Sequence, residues 1–99
     1  MARYQVFRIR DGEGFLLDVQ NDLMDGLNTR VMVPLMPPEA APKPARRLNP
    51  AFDIEGRAHL MVTQYIAAVP VSELGALVAT LPAHDNAITD ALDMLFQGF

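Results

Sequence analysis

The C-terminal segment carries the clearest periodicity in the chain and dictates how the rest must fold. Ile88, Ala91, Leu92, Leu95 and Phe96 recur at i, i+3, i+4, i+7 and i+8, one stripe of an α-helix. Asp90 and Asp93 lie off that stripe. After Pro82, either Asp85 or Asn86 is placed to cap the helix start. Gly98 is a natural stop, because glycine tolerates the left-handed conformation that follows a helix. The segment ends on Leu95-Phe96-Gln97-Gly98-Phe99, whereas domain ends are usually polar and frayed. Burying one large apolar side chain contributes about 1.5–3 kcal/mol, so this end should dock on the chain's own core or on a partner. The stripe up to Phe96 reads as core, and Phe99, beyond the glycine, is harder to bury internally.

An amphipathic helix needs a surface to cover, and the preceding sequence supplies strands. Arg3–Arg10 and Phe15–Gln20 read as a hairpin around Asp11-Gly12-Glu13-Gly14. In the second of these, Leu17 and Val19 point one way and Asp18 and Gln20 the other, the mark of a half-buried strand. A turn at Asp25-Gly26-Leu27-Asn28 leads to a third strand over Arg30–Leu35, where Pro34 predicts an edge or a bulge. Pro37, Pro38, Pro42 and Pro44 then mark an exposed, extended loop at about 37–47 within one domain of residues 1–99. Phe52–Ile54 and Arg57–Val62 form a second hairpin around Glu55-Gly56, and Tyr65–Val69 a further strand. Ser72 is placed to cap a short helix through Val78, with Leu74, Leu77 and Val78 on one face. Strands first and a helix last predict a small antiparallel β fold with a packed terminal helix.

Composition narrows the function classes. Without cysteine there is no disulfide or thiolate chemistry, which suits a cytoplasmic protein. The net charge is −4, and an acidic domain is a poor non-specific binder of nucleic acid. No charged leader or apolar run of about 18 residues predicts a signal peptide or a membrane span.

Candidate catalytic sets are thin, and neither a cofactor nor a metal is expected. His59 and His84 lack zinc-ligand spacing and read as a strand side chain and a helix-entry residue. Asp18, Asp22 and Asp25 cluster as cation-binding carboxylates would, but turn aspartates commonly bond their own backbone. Ser72 lacks the G-x-S-x-G elbow, and there is no glycine-rich phosphate loop. Leu23 and Met24, between Asp22 and Asp25, are either local core or part of an interface.

Taken in order, Leu17-Asp18-Val19-Gln20-Asn21-Asp22-Leu23-Met24-Asp25, Arg30-Val31-Met32-Val33-Pro34-Leu35, Leu48-Asn49-Pro50, Ala68-Val69-Pro70-Val71-Ser72-Glu73-Leu74-Gly75 and Asp90-Ala91-Leu92-Asp93-Met94-Leu95-Phe96-Gln97-Gly98-Phe99 resemble the CcdB-type toxins. No single motif is highly specific; the ordered series is, and it spans the chain. The resemblance implies an SH3-like antiparallel β-barrel or sheet core, a short helix after the last strand, a C-terminal helix and a symmetric homodimer. It also implies a function that is not enzymatic. Such a toxin binds the A subunit of DNA gyrase and traps the cleaved, protein-linked DNA. A cognate CcdA-like antitoxin wraps the toxin and frees gyrase. The pair represses its own operon, so the toxin meets DNA only through the antitoxin.

By the same resemblance, the gyrase contacts map onto Leu23, Met24, Asp93, Gln97, Gly98 and Phe99. Family poisons carry tryptophan where Gln97 stands, stacked on a gyrase arginine. Glutamine forgoes that stacking and cation–π attraction, roughly 0.5–2 kcal/mol per subunit. Asp93 replaces a neutral amide and adds charge. These departures motivate an alternative, an antitoxin-binding module of the same fold that no longer poisons gyrase. A further alternative is a ribonuclease like the MazF and Kid toxins, with Arg30, Arg57, Asp18 and Asp22 as conceivable acid, base and phosphate binders.

Overall fold

The turn signals and apolar runs resolve into a strongly curled antiparallel sheet closed on one side by a helix. The computed structural model describes residues 1–98. Strands β1 (Gln5–Ile9) and β2 (Phe15–Asp18) form the first hairpin, and β3 (Thr29–Met36) returns beside β2. Strands β4 (Ala51–Ile54) and β5 (Arg57–Met61) form the second hairpin, followed by β6 (Ala67–Pro70), β7 (Leu74–Thr80) and helix α1 (Asp85–Gln97). The sheet order is β4-β5-β3-β2-β1-β7, with β6 paired to β3 off that path. The first half of β3 pairs with β6 and its last residues with β5, so the sheet forks there and curls into a half-barrel of the SH3-like kind. The β4–β5 turn is tight because Glu55 and Gly56 both take positive φ, 53° and 80°, as a two-residue hairpin loop demands.

The core lies between the concave sheet and α1. Ile88 and Ala91 are fully buried and pack into one cluster with Tyr4, Val6, Leu17, Val33, Phe52 and Met61. A smaller cluster of Phe7, Leu16, Met32 and Leu74 fills the other face of the sheet. Strand β2 is therefore buried on both faces, not half-buried: Asp18, expected to face solvent, is sealed in. Among the described residues no helix is long and apolar enough to cross a membrane.

Several local expectations are corrected, each for a physical reason. The segment read as a helix from Ser72 to Val78 is a 3-10 turn at Val71–Glu73 followed by β7, and Ser72 caps nothing. β7 meets β1 with two register irregularities, so its apolar residues lose strict alternation and imitate helical spacing. Gly75 belongs to that close approach, since a Cβ there would come within 3.1 Å of the Arg8 carbonyl oxygen. Tyr65 ends a 3-10 turn (Thr63–Tyr65), so β6 starts later than expected, at Ala67. Pro34 lies in a central strand, neither at an edge nor at a strand end. It occupies the fork where pairing passes from β6 to β5, and its carbonyl accepts from the Val62 N–H at 3.0 Å. Residues 37–47 are not simply extended: Pro37 O accepts from the Ala40 and Ala41 N–H groups, and Asn49 Oδ1 accepts from the Ala45 N–H. Neither Asp85 nor Asn86 caps α1. A 3-10 turn at Pro82–His84 leads into the helix, and the Asp85 N–H donates to the Pro82 carbonyl.

Tyr4 joins the N-terminus to the helix start. Its buried phenol oxygen makes no hydrogen bond of good geometry among the described residues. Burial, reinforced by the nearby Asp85 carboxylate, pushes its pKa from 10 up to about 12. A raised phenol pKa means that the unfolded chain loses its proton first as the pH rises. The contribution of Tyr4 to stability is therefore complete below pH 10 and declines towards pH 12. Urea unfolding at pH 8, about 10 and about 12 should show this decline in the wild type and a smaller one in Tyr4→Phe.

Candidate functional site

The most exposed large apolar side chains, Leu23 and Phe96, mark two features, with Tyr65 and Leu77 about half exposed elsewhere. The first is the loop between β2 and β3. Asn21 Oδ1 accepts from the Leu23 N–H at 2.8 Å and starts a 3-10 turn at Asp22–Met24, which has no buried residue. Leu23 is 90% exposed, Met24 54% and Leu27 55%. The loop thus displays an apolar tip between Asp22 and Asp25, and the local-core reading of Leu23 and Met24 does not hold. Leu27 joins them, and its place in the turn Asp25-Gly26-Leu27-Asn28 is the one sign of this in the sequence.

Beneath that tip lies a buried ion pair. Arg30 and Asp18 are both 0% exposed. Arg30 Nε donates to Asp18 Oδ2 at 2.8 Å and Nη2 to Asp18 Oδ1 at 2.9 Å, a two-pronged contact that fixes both planar groups. Nη2 also reaches the Gln20 carbonyl at 3.3 Å. Asp18 does bond local backbone, accepting from the Gln20 N–H at 3.0 Å, but its main partner is the guanidinium. Asp22 and Asp25 approach the same guanidinium at 3.9 and 3.8 Å. The three aspartates of the sequence cluster are therefore gathered around a cation supplied by the chain itself.

The second feature is the end of α1. Asp93, Phe96 and Gln97 lie at i, i+3 and i+4, share one edge of the helix, and are all exposed. Phe96, read from the stripe as core, is 69% exposed. The stripe is buried at Ile88 and Ala91, half-buried at Leu92 and Leu95, and exposed at Phe96. Gly98 closes the helix with φ 79°, and its N–H donates to the Met94 carbonyl at 3.1 Å. Apart from its chain neighbours and the helix's own backbone, nothing among the described residues lies within 4 Å of where its Cβ would stand. Phe99, the last of the named residues, lies outside the described ones. The structure thus brings Asp93, Gln97 and Gly98 together at one helix end and places Leu23 and Met24 on a separate loop.

Of the residues named for RNA cleavage, Asp18, Asp22 and Arg30 come together around one guanidinium, and Arg57 stands apart. Asp18 and Arg30 consume one another in the interior. Arg57 lies at the start of β5, beyond the other end of β3, and pairs with Glu39. A cleft of about 690 Å³ beside it is lined by Arg8, Phe15, Met36, Arg57, His59 and Tyr65, among others. Arg8 is held there by both carboxylate oxygens of Glu55, at 2.5 and 2.6 Å. His59 is buried on β5, edge-on to Phe15 with ring centroids 5.1 Å apart, and His84 at the helix entry meets Phe52 in the same way.

The family model described as CcdB protein matches residues 3–98. Among solved structures, an endoribonuclease in complex with its cognate antitoxin from a mycobacterial species superposes with a TM-score of 0.76. The identity is 22%, over 95% of this chain and 92% of that one. An endoribonuclease from a mycobacterial species gives a TM-score of 0.76 at 22% identity, over 95% of this chain and 88% of that one. At such identity the likeness is one of fold.

Stability should separate the buried pair from the exposed features. Asp18→Ala strands a buried guanidinium and is expected to cost about 3–5 kcal/mol in urea unfolding. Leu23→Ser and Phe96→Ser should each stay within about 0.5 kcal/mol of the wild type, because neither side chain is withdrawn from water.

Proposed function

The chain belongs to the CcdB family, and we propose that it is the toxin of a bacterial toxin–antitoxin pair: a homodimer that binds the A subunit of DNA gyrase, traps the cleaved gyrase–DNA complex, and is neutralised by a CcdA-like antitoxin. The observation that carries this reading is the exposed end of α1, where Asp93, Phe96, Gln97 and Gly98 stand free of the core. An aromatic ring and a helix terminus projecting into solvent contribute little to folding and suit a partner surface. The absence of tryptophan at position 97 does not leave this end without a ring, because Phe96 exposes one a residue earlier. Asp93 at the helix end, and Asp22 and Asp25 around Leu23 and Met24, rim both apolar features with negative charge. The matching partner surface is apolar with a cationic border, which would also favour fast encounter. The antitoxin half of the proposal draws support from the structural neighbour solved with its cognate antitoxin.

The endoribonuclease neighbours motivate a second reading, RNA cleavage. Such a reaction needs an acid, a base and free cations in reach of one phosphate. Here Asp18 and Arg30 are buried against each other, and Arg8 and Arg57 already face carboxylates. That arrangement favours a toxin acting by binding, and cleavage of single-stranded RNA by the purified protein would reverse the preference.

The decisive experiment mixes the protein with host gyrase, ATP and supercoiled plasmid, followed by denaturation and protease digestion. Linear DNA dependent on both proteins is the expected result. Gly98→Arg should abolish it while costing only about 1–2 kcal/mol of stability, the penalty of the left-handed conformation at an uncrowded position. Antitoxin binding without linear DNA, from folded protein, would instead identify the non-poisoning module.

A further inference from the structure

The loop bearing Leu23 and Met24 poses a physical problem. Residues 21–29 are all exposed, and the 3-10 turn within them buries nothing. A segment without apolar anchors opens at little cost and is ordinarily mobile. Its hydrogen bonds are mostly internal to the turn: the Leu23 N–H donates to Asn21 Oδ1, the Met24 N–H to the Asn21 carbonyl and the Asp25 N–H to the Asp22 carbonyl. Gln20, which donates to the Met24 carbonyl at 3.3 Å and accepts from the Val31 N–H at 3.0 Å, and the Asn28 carbonyl, which accepts from the Val71 N–H, tie it to the sheet. These bonds close the turn, and the charges beneath it bear on how it is seated over the sheet.

We propose that Arg30 is a positioning residue, whose buried charge holds Asp22 and Asp25 and thereby fixes the loop that presents Leu23 and Met24. Three observations converge on it. Arg30 lies fully buried on β3 directly after the loop, so its guanidinium cannot move away. Asp18 occupies Nε and Nη2, whereas Nη1 is buried without a hydrogen bond among the described residues, and Asp25 stands 3.8 Å from it. Asp22 is drawn towards Nη2 at 3.9 Å, and its Oδ1 also accepts from the Arg3 N–H at 2.7 Å. The Met1 amino group reaches Asp25 at 3.8 Å from the other side. A guanidinium removed from water acts strongly on carboxylates a few ångströms away. Asp18 makes the structural pair, while Asp22 and Asp25, on either side of Leu23 and Met24, convert the remaining attraction into loop shape.

The functional part of this inference rests on the reading that Leu23 and Met24 touch the partner; the mechanical part does not. Asp22 and Asp25 are largely exposed, so their neutralisation leaves the core intact. The test is the Asp22→Asn/Asp25→Asn double variant beside Asp25→Glu, read by amide hydrogen exchange over residues 21–28 and by affinity for the A subunit of host gyrase. Exchange in the double variant should accelerate about tenfold and affinity fall about tenfold, as expected when the competent loop shape becomes a minor state. Asp25→Glu, with a longer reach to Nη1, should keep or slow the wild-type exchange. Unchanged exchange in the double variant would overturn the proposal. Faster exchange with unaltered gyrase affinity would overturn the positioning role and leave only a tether. Should the wild type fail to bind gyrase, the functional reading falls, and exchange alone still decides whether the Asp22 and Asp25 charges order the loop.

Discussion

The Asp18–Arg30 pair is the constraint on which the rest of the structure turns. A charge taken out of water is costly, and its attraction to a partner repays that cost only with good geometry and further hydrogen bonds. Both conditions are met, by two prongs at 2.8 and 2.9 Å and by bonds to Gln20. Breaking the pair penalises any arrangement that parts the end of β2 from the start of β3. That couples the register of the two strands, in which Asp18 faces Met32, to the path of the loop joining them. An apolar substitute would bury as much surface without this directional demand. The pair therefore serves to specify one arrangement as well as to stabilise it.

Strand β3 carries that specification through the sheet. It pairs with β2 along one side and with two different strands along the other. A strand shared in this way must bend, because β6 and β5 leave it in succession. Pro34 stands where neither claims a backbone donor, so the missing N–H leaves no acceptor unpaired. The curl of the half-barrel and the position of the proline have one cause.

Much of this was legible in the sequence, and the failures share a pattern. Both hairpins were visible because Asp-Gly and Glu-Gly turns act within a few residues. The stripe of α1 and its Gly98 stop were visible because helical periodicity is also local. Strand β7 was misread because register irregularities against β1 hid its alternation, and β1 is far away in sequence. Asp18 was misread as solvent-facing because its partner comes from the next strand, and alternation says nothing about an ion pair. At the candidate site, the residue types at 23, 24, 93, 97 and 98 could be named, but their exposure could not. Phe96 belongs to the apolar stripe by spacing, and only the packed structure shows that burial along the stripe has ended by then.

That fall in burial along the helix is also what lets the protein separate folding from display. Helix α1 is anchored by Ile88 and Ala91 in its first half, where the sheet and the turns at Thr63–Tyr65 and Pro82–His84 meet it. Its last turn adds little to the core, so the residues there can answer to a partner with small consequence for stability. The Asn21–Asn28 loop reaches the same end by a different route, since its tip is held by charge from below and not by apolar packing. In each case an exposed apolar side chain projects from a backbone fixed elsewhere. A side chain on a pre-formed backbone loses less conformational freedom on association than one on a mobile segment, and more of its contact energy is left for binding.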